Sequence, residues 1–143
     1  MTTASVLPEG LFPVIPDPEG VDTPYWEGTR NEEIRIQRCC SCQRFQWAPE
    51  IICHHCLARE LEFVPVRPTG TIYSYARVWH PVDPRLAPAC PYMLVVVALD
   101  DVPEIRLLGN LVGDDSGCDF NAPVSAVFEH HDDYTLVQWR VDQ

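Results

Sequence analysis

The chain has 143 residues, enough for one ordinary domain or two small units that share a surface. Its net charge is −11 and it contains no lysine, a balance that opposes general nucleic-acid binding, which draws its affinity from neutralising phosphates. The longest apolar run, residues 91–99, is far too short to span a bilayer, and the first residues lack the basic start and apolar stretch of a secretory signal, so a cytoplasmic protein with reduced thiols is expected.

The charge is unevenly spread. Residues 1–29 hold five acids and no base, residues 30–85 hold eight arginines against six acids, and residues 86–143 hold two arginines against ten acids. A local arginine patch in the middle third is therefore compatible with an acidic whole.

Residues 1–20 carry Pro8, Pro13, Pro16 and Pro18, with Phe12, Val14 and Ile15 among them. Proline fixes the backbone and removes donors, which predicts an extended arm lying along its own domain or a partner. A short helix follows. Asp22 or Thr23 can cap it, Pro24 suits its first turn, and Tyr25 and Trp26 carry it to about Gly28. Both rings can pack within the domain or anchor a partner. Arm and helix together make a first segment, residues 1–32.

Residues 33–38 alternate as a strand and enter the clearest motif of the chain. Cys39, Cys42, Cys53 and Cys56 read C-x2-C-x10-C-x2-C. Each C-x-x-C turns tightly enough to point two thiolates at one centre, and two such knuckles complete a tetrahedron. Four thiolates leave no open position, so structural Zn²⁺ is expected, with iron possible in the same geometry. The competing reading is buried or disulfide cysteines. Cys40 lies inside the first knuckle, but a C-x-C bite is tighter. His54 and His55 could replace a cysteine, which four cysteines make unnecessary. Strands returning from the first knuckle at residues 44–47 and leaving the second at residues 60–66 complete a rubredoxin-like zinc ribbon, residues 33–66, which has too little core to fold without metal.

From residue 67 to 143 the pattern is all β. Clean alternation predicts a strand at 69–79, the apolar run 92–99 is suited to a central strand, and strands at 104–112, 122–130 and 134–141 follow, separated by turn-forming clusters of Asp, Gly, Ser and Pro. Five strands with their longest loop between the first two fit a five-stranded OB-fold barrel. The fold class is mainly β: an N-terminal arm and short helix, a zinc ribbon, and a C-terminal OB barrel. His130 and His131, beside two aspartates, are expected at a solvated turn.

Strict alternation places Tyr73, Tyr75, Arg77 and Trp79 on one face of the first barrel strand. An aromatic and arginine stripe on an OB barrel is the form of a single-strand stacking platform, although such rings also cover cores and interfaces. The loop of residues 79–92 carries His80, Asp83, Arg85 and Tyr92, stiffened by four prolines that help present polar groups to a ligand or partner. His80 and Asp83 suggest an acid–base pair, but each precedes a proline, a pairing that also shapes turns. Cys90 has no identifiable base beside it, and Cys90 and Cys118 read as free thiols in loops. No Gly-rich phosphate loop, nucleophile elbow or paired-carboxylate motif occurs.

The ordered set of these segments resembles a known family. It comprises Thr23-Pro-Tyr-Trp-Glu-Gly, Ile34-Arg-Ile-Gln-Arg-Cys, the two knuckles, Thr69-Gly-Thr-Ile-Tyr-Ser-Tyr, His80-Pro, Pro91-Tyr, Arg106-Leu-Leu-Gly-Asn-Leu-Val and Pro123-Val-Ser-Ala-Val-Phe-Glu. The chain looks like the zinc-ribbon/OB-fold proteins that accompany acyl-CoA enzymes, long catalogued as a domain of unknown function, number thirty-five. It departs from them at Gln43 and Leu57, where a glycine is common at least after the first knuckle, and at Val82-Asp83, where relatives often carry aromatic or histidine residues.

The resemblance implies an accessory subunit with no activity alone, in a hetero-oligomer with a thiolase-like enzyme or a hotdog-fold enoyl-CoA hydratase. Its zinc would be structural and it would help to bind the CoA thioester. Aldol cleavage of a branched or steroid-type acyl-CoA is the preferred reaction, ahead of acyl transfer. On this picture Arg77, Trp79, His80, Arg85 and Tyr92 would contact acyl-CoA or the partner, and Tyr25 and Trp26 would anchor the partner. A single-stranded nucleic-acid-binding OB protein is the alternative from another class, and an independent enzyme using His80 and Asp83 is a third.

Overall fold

The structure is a computed structural model that describes Ser5, Leu7, Pro8, Leu11 and residues 15–143. Phe12 and Val14 of the expected arm lie outside the described residues. Helix α1 spans Thr23–Arg30 and runs two residues past Gly28. Asp22 occupies its N-cap position, yet its side chain does not cap the backbone: its carboxylate accepts from Trp26 Nε1 at 2.8 Å. Among the described residues no helix is long and apolar enough to cross a membrane.

Strands β1 (Ile34–Cys39), β2 (Phe45–Gln46) and β3 (Leu61–Val66) form a three-stranded antiparallel sheet in the order β2-β1-β3. The β1–β3 pairing runs from Ile34 opposite Val66 to Cys39 opposite Leu61. This places the first metal-ligating candidate at the end of a fully paired strand. Gly28 lets β1 approach the helix, because a Cβ there would press on the Arg35 side chain at 2.9 Å.

Strands β4 (Thr69–Val78), β5 (Tyr92–Leu99), β6 (Arg106–Leu111), β7 (Pro123–His130) and β8 (Thr135–Val141) close a barrel in the order β4-β5-β6-β8-β7. The closure joins β6 to β8 in parallel, at Leu111 opposite Trp139, and β4 to β7 from Thr69 to Thr71. Burial alternates residue by residue along β5, as the strand pleat dictates, with Val95, Val97 and Leu99 wholly inside. Gly70 permits β4 to cross tightly over β5, since a Cβ there would collide with the backbone of Ala98. One apolar cluster runs from Tyr25, Ile34, Ile36 and Val66 into the barrel interior around Trp139. Helix, ribbon and barrel therefore share a core.

The first barrel strand is not a simple alternation. Ile72 pairs with Val97 and Ser74 with Val96, so Tyr73 is an extra residue in a β-bulge. The bulge splits the expected stripe. Tyr73 turns outward, where the Arg106 guanidinium lies 3.7 Å from its ring centroid. Tyr75 packs against the core and tilts on Phe120 at 5.1 Å, and Trp79 lies beyond the strand end. The residues expected on one face do not form one stacking platform.

The loop after β4 also differs from an irregular connection. Residues Pro84–Ala89 form a 3-10 helix, which Asp83 opens by accepting from the Arg85 N–H at 2.9 Å.

Candidate metal centre and the proline-rich loop

The two knuckles repeat one local geometry. Cys39 N–H donates to Arg44 O at 2.9 Å, and Cys53 N–H donates to Ala58 O at 2.8 Å. Gln43 N–H closes the first turn on Cys39 O at 2.9 Å, and Leu57 N–H closes the second on Cys53 O at 3.1 Å. Gln43 and Leu57, the residues that follow the two knuckles, have φ of 64° and 63°. Both turns thus demand the left-handed conformation that glycine adopts most easily.

These turns bring the sulfurs of Cys39, Cys42, Cys53 and Cys56 within 4.8 Å of one another. Cys39 and Cys56 are 3.6 Å apart, as are Cys42 and Cys53. Tetrahedral zinc with bonds of about 2.3 Å requires sulfur pairs about 3.8 Å apart. The four sulfurs fit that ion, and Cys40 is not part of the set. Neither neighbouring histidine belongs to the set, and Arg44 Nη1 lies 3.1 Å from His55 Nδ1.

The polypeptide prepares the sulfurs for a cation. The Cys56 backbone N–H pulls the Cys53 thiol down to about 6, against the cost of burial, and the His55 N–H helps. Cys39 is lowered chiefly by the Cys42 N–H. Cys56 feels the Ala58 N–H pulling it down, but the Cys39 thiol, burial and the other thiols outweigh it and push it up to about 11. Four close sulfurs cannot all ionise without a positive charge among them, and bound zinc supplies that charge.

Behind the knuckles, Gln37 and Gln46 form a buried amide network. Gln46 donates to Gln37 Oε1 at 2.7 Å and to Ile52 O at 3.1 Å, and Gln37 joins Glu50 through two bonds of 2.9 Å. This network ties both knuckles to the sheet.

The five residues expected to contact acyl-CoA or a partner, Arg77 on β4 and Trp79, His80, Arg85 and Tyr92 after it, fall into separate settings. Arg85 is clamped by the Asp83 carboxylate, with Nη2 to Oδ2 at 2.6 Å. That bond commits Asp83 to Arg85 and not to His80, so the His80–Asp83 acid–base pair is not assembled. Arg77 reaches Asp115 at 2.7 Å. Trp79 is 62 % exposed and His80 is exposed beside it. Tyr92 lines an apolar cavity of about 160 Å³ with Leu7, Leu86, Ala89, Leu94 and Asn110.

Tyr25, expected as a partner anchor, is instead a core residue. It is 8 % exposed and meets Trp47 edge-on at 4.8 Å and Trp26 at 5.2 Å. Burial pushes its phenol well above the usual range. Trp26 lines a groove of about 220 Å³ with Pro16, Pro18 and Arg30.

His130 and His131 do flank the β7–β8 turn, where His131 N–H donates to Tyr134 O at 2.9 Å, but both are half-buried and partnered. His130 bridges Thr135 at 3.0 Å and Glu32 at 3.1 Å, tying the barrel to the end of α1. His131 stacks on Tyr134 and reaches Glu129 at 2.8 Å. Glu129 is wholly buried, with its second oxygen accepting from Gln138 at 3.0 Å. Sequence reading passed over this carboxylate because its burial and its bond to Gln138 arise only when the β7–β8 hairpin closes.

Comparison with known proteins follows this division. Residues 26–62 match the family described as ChsH2, rubredoxin-like zinc ribbon domain. Residues 63–129 match ChsH2, C-terminal OB-fold domain. The chain belongs to the ChsH2 zinc-ribbon/OB-fold family. The family boundary falls inside β3, whereas strand pairing joins the whole of β3 to the ribbon.

Among solved structures, the chain is similar to a chain of the Ltp2-ChsH2(DUF35) aldolase. The TM-score is 0.73 at 29 % identity, covering 84 % of this chain and 93 % of that one. It shares its fold with a DUF35-family protein of unknown function from Sulfolobus solfataricus, with a TM-score of 0.62 at 15 % identity and 87 % of each chain covered. A probable enoyl-CoA hydratase alpha subunit of Thermomonospora curvata is 34 % identical over 93 residues, 64 % of this chain. The chain spans only 28 % of that relative's length.

Proposed function

We propose that this chain is an accessory subunit of a thiolase-like aldolase acting on a branched or steroid-type acyl-CoA, assembled as a cytoplasmic hetero-oligomer. The observation that carries the reading is the two-domain likeness to the aldolase chain, which extends over 93 % of that chain at 29 % identity. A likeness over nearly the whole length of a subunit favours a subunit of the same kind. The hydratase relative favours a second reading, support of an enoyl-CoA hydratase, but it shares only 28 % of its length.

The ribbon would hold structural Zn²⁺ through Cys39, Cys42, Cys53 and Cys56, whose charge lets the four thiolates coexist and whose bonds fix the knuckles. In this reading the thiolase-like subunit supplies the groups that react. The exposed Trp79 and His80, presented by a loop that Asp83 and Arg85 brace, form the surface we assign to acyl-CoA. Arg77 and Arg85 each already hold a carboxylate. CoA phosphates would have to compete with Asp115 and Asp83 for them, so ring contacts from Trp79 weigh more than charge in this assignment.

The test is co-expression with a thiolase-like protein from the same source, co-purification, and an acyl-CoA retro-aldol assay of each component alone and of both together. A stable complex active only with both present supports the proposal. Absence of a complex, with salt-sensitive binding of single-stranded RNA, would sink it.

A further inference from the structure

The second knuckle carries side chains that the fold does not use. Leu57 holds a φ of 63°, yet its side chain is 69 % exposed. At the matching place in the first knuckle, Gln43 Nε2 donates to Cys40 O at 2.6 Å, so that residue returns a bond to its own turn. The isobutyl group of Leu57 returns none, and the N–H that closes its turn would be supplied equally by glycine. Ile51, at the entrance to the same knuckle, is 66 % exposed. A strained backbone retained under an exposed aliphatic side chain points to contact outside the chain.

The charge around the tip indicates what covers it. Arg35, Arg38, Arg67, Arg77 and Arg85 each hold a carboxylate. Arg44 reaches only His55, and Arg59 has no ion pair among the described residues. Glu50 and Glu60 lie near them in sequence but bond to neither. Two uncompensated cations therefore flank two exposed aliphatic groups on a chain of net charge −11. Aliphatic anchors with a cationic rim complement an apolar socket rimmed by carboxylates, and the chain's net charge of −11 opposes a polyanionic occupant.

We infer that the second-knuckle tip, Ile51 and Leu57 with Arg44 and Arg59 at its rim, docks into an acidic-rimmed apolar socket on the thiolase-like subunit. This rests on the function proposed above. The tip is then an anchor held on a metal-braced turn, and zinc contributes to assembly by keeping that turn rigid.

The test compares wild type with Leu57→Gly, Ile51→Ser and the double variant Arg44→Glu/Arg59→Glu in titrations against the co-expressed thiolase-like subunit, with zinc content and melting temperature measured in parallel. Leu57→Gly relieves the left-handed strain, so it should keep its zinc and melt at or above the wild-type temperature while binding about tenfold more weakly. The arginine variant should weaken binding and flatten its salt dependence. Wild-type assembly with Leu57→Gly binding equally tightly overturns the docking inference and leaves the proposed function standing. Failure of wild type to assemble removes both. Loss in the tip variants of self-association only, or of single-stranded RNA binding only, would give the tip to another occupant and overturn the inference.

Discussion

Gln43 shows how a single position can work against the fold around it. Its φ of 64° lies in the region where an L side chain crowds its own carbonyl, at a cost of about 1 kcal/mol. Its amide bond to Cys40 O offsets part of that cost, but the residue is exposed and water competes for the bond. Gln43→Gly should therefore raise the melting temperature of the zinc-loaded protein by a few degrees, and the β-branched Gln43→Val should lower it, both read by calorimetry. Glu129 presents the opposite case, a buried group that its neighbours need. Glu129→Ala leaves the donors of His131 and Gln138 facing a cavity and should cost about 3 kcal/mol in urea unfolding. Glu129→Gln keeps an acceptor in place and should cost clearly less. If the two variants unfold together, the network does not stabilise the barrel.

At the scale of elements, the proline-rich loop depends on one carboxylate. Asp83 is held below its ordinary 3.8, first by the Arg85 guanidinium and then by the Arg85 backbone N–H, which together outweigh desolvation. A depressed carboxylate contributes above its unfolded value and loses that contribution as pH falls through its folded one. The start of the 3-10 helix should thus stay closed at neutral pH and release only below about pH 3.8, seen as a shift of the Arg85 amide and Nε–H resonances. Asp83→Asn should show the released spectrum across the whole range. This brace was hidden in the sequence, where Asp83 before Pro84 reads only as a turn. The strands were legible for a local reason: residues 92–99 are an unbroken apolar run bounded by turn residues, and β5 occupies that run from Tyr92 to Leu99. The knuckles were legible because all their chemistry lies within short spacings. Tyr73 was not, since a bulge adds one residue and reverses the face of everything after it. Nor were Tyr25 and Glu129, because their burial is decided by residues far along the chain, such as Trp47 and Gln138.

The whole molecule joins a metal-dependent unit to one that does not need the metal. The ribbon has three strands, β2 being only two residues long, and its two knuckles are linked through the sulfurs and the Gln37–Gln46 amides. The barrel closes on itself and buries Ile72, Val95, Val97, Leu99, Val124 and Trp139 completely. Removing zinc with a chelator leaves four adjacent thiols whose proton affinities conflict, and it deletes the link that joins all four knuckle sulfurs. The knuckle amides of Cys39, Cys53 and Leu57 should then lose their hydrogen-exchange protection, while Val95 and Val97 keep theirs. The shared core sets the limit of that opening. Ile34, Ile36 and Val66 belong to the same apolar cluster as the barrel, so the β1–β3 pairs nearest Ile34 should remain protected longer than those nearest Cys39. Cys39→Ser should reproduce the chelated pattern without chelator. Loss of barrel protection together with the knuckles would instead show that zinc is needed for the entire fold.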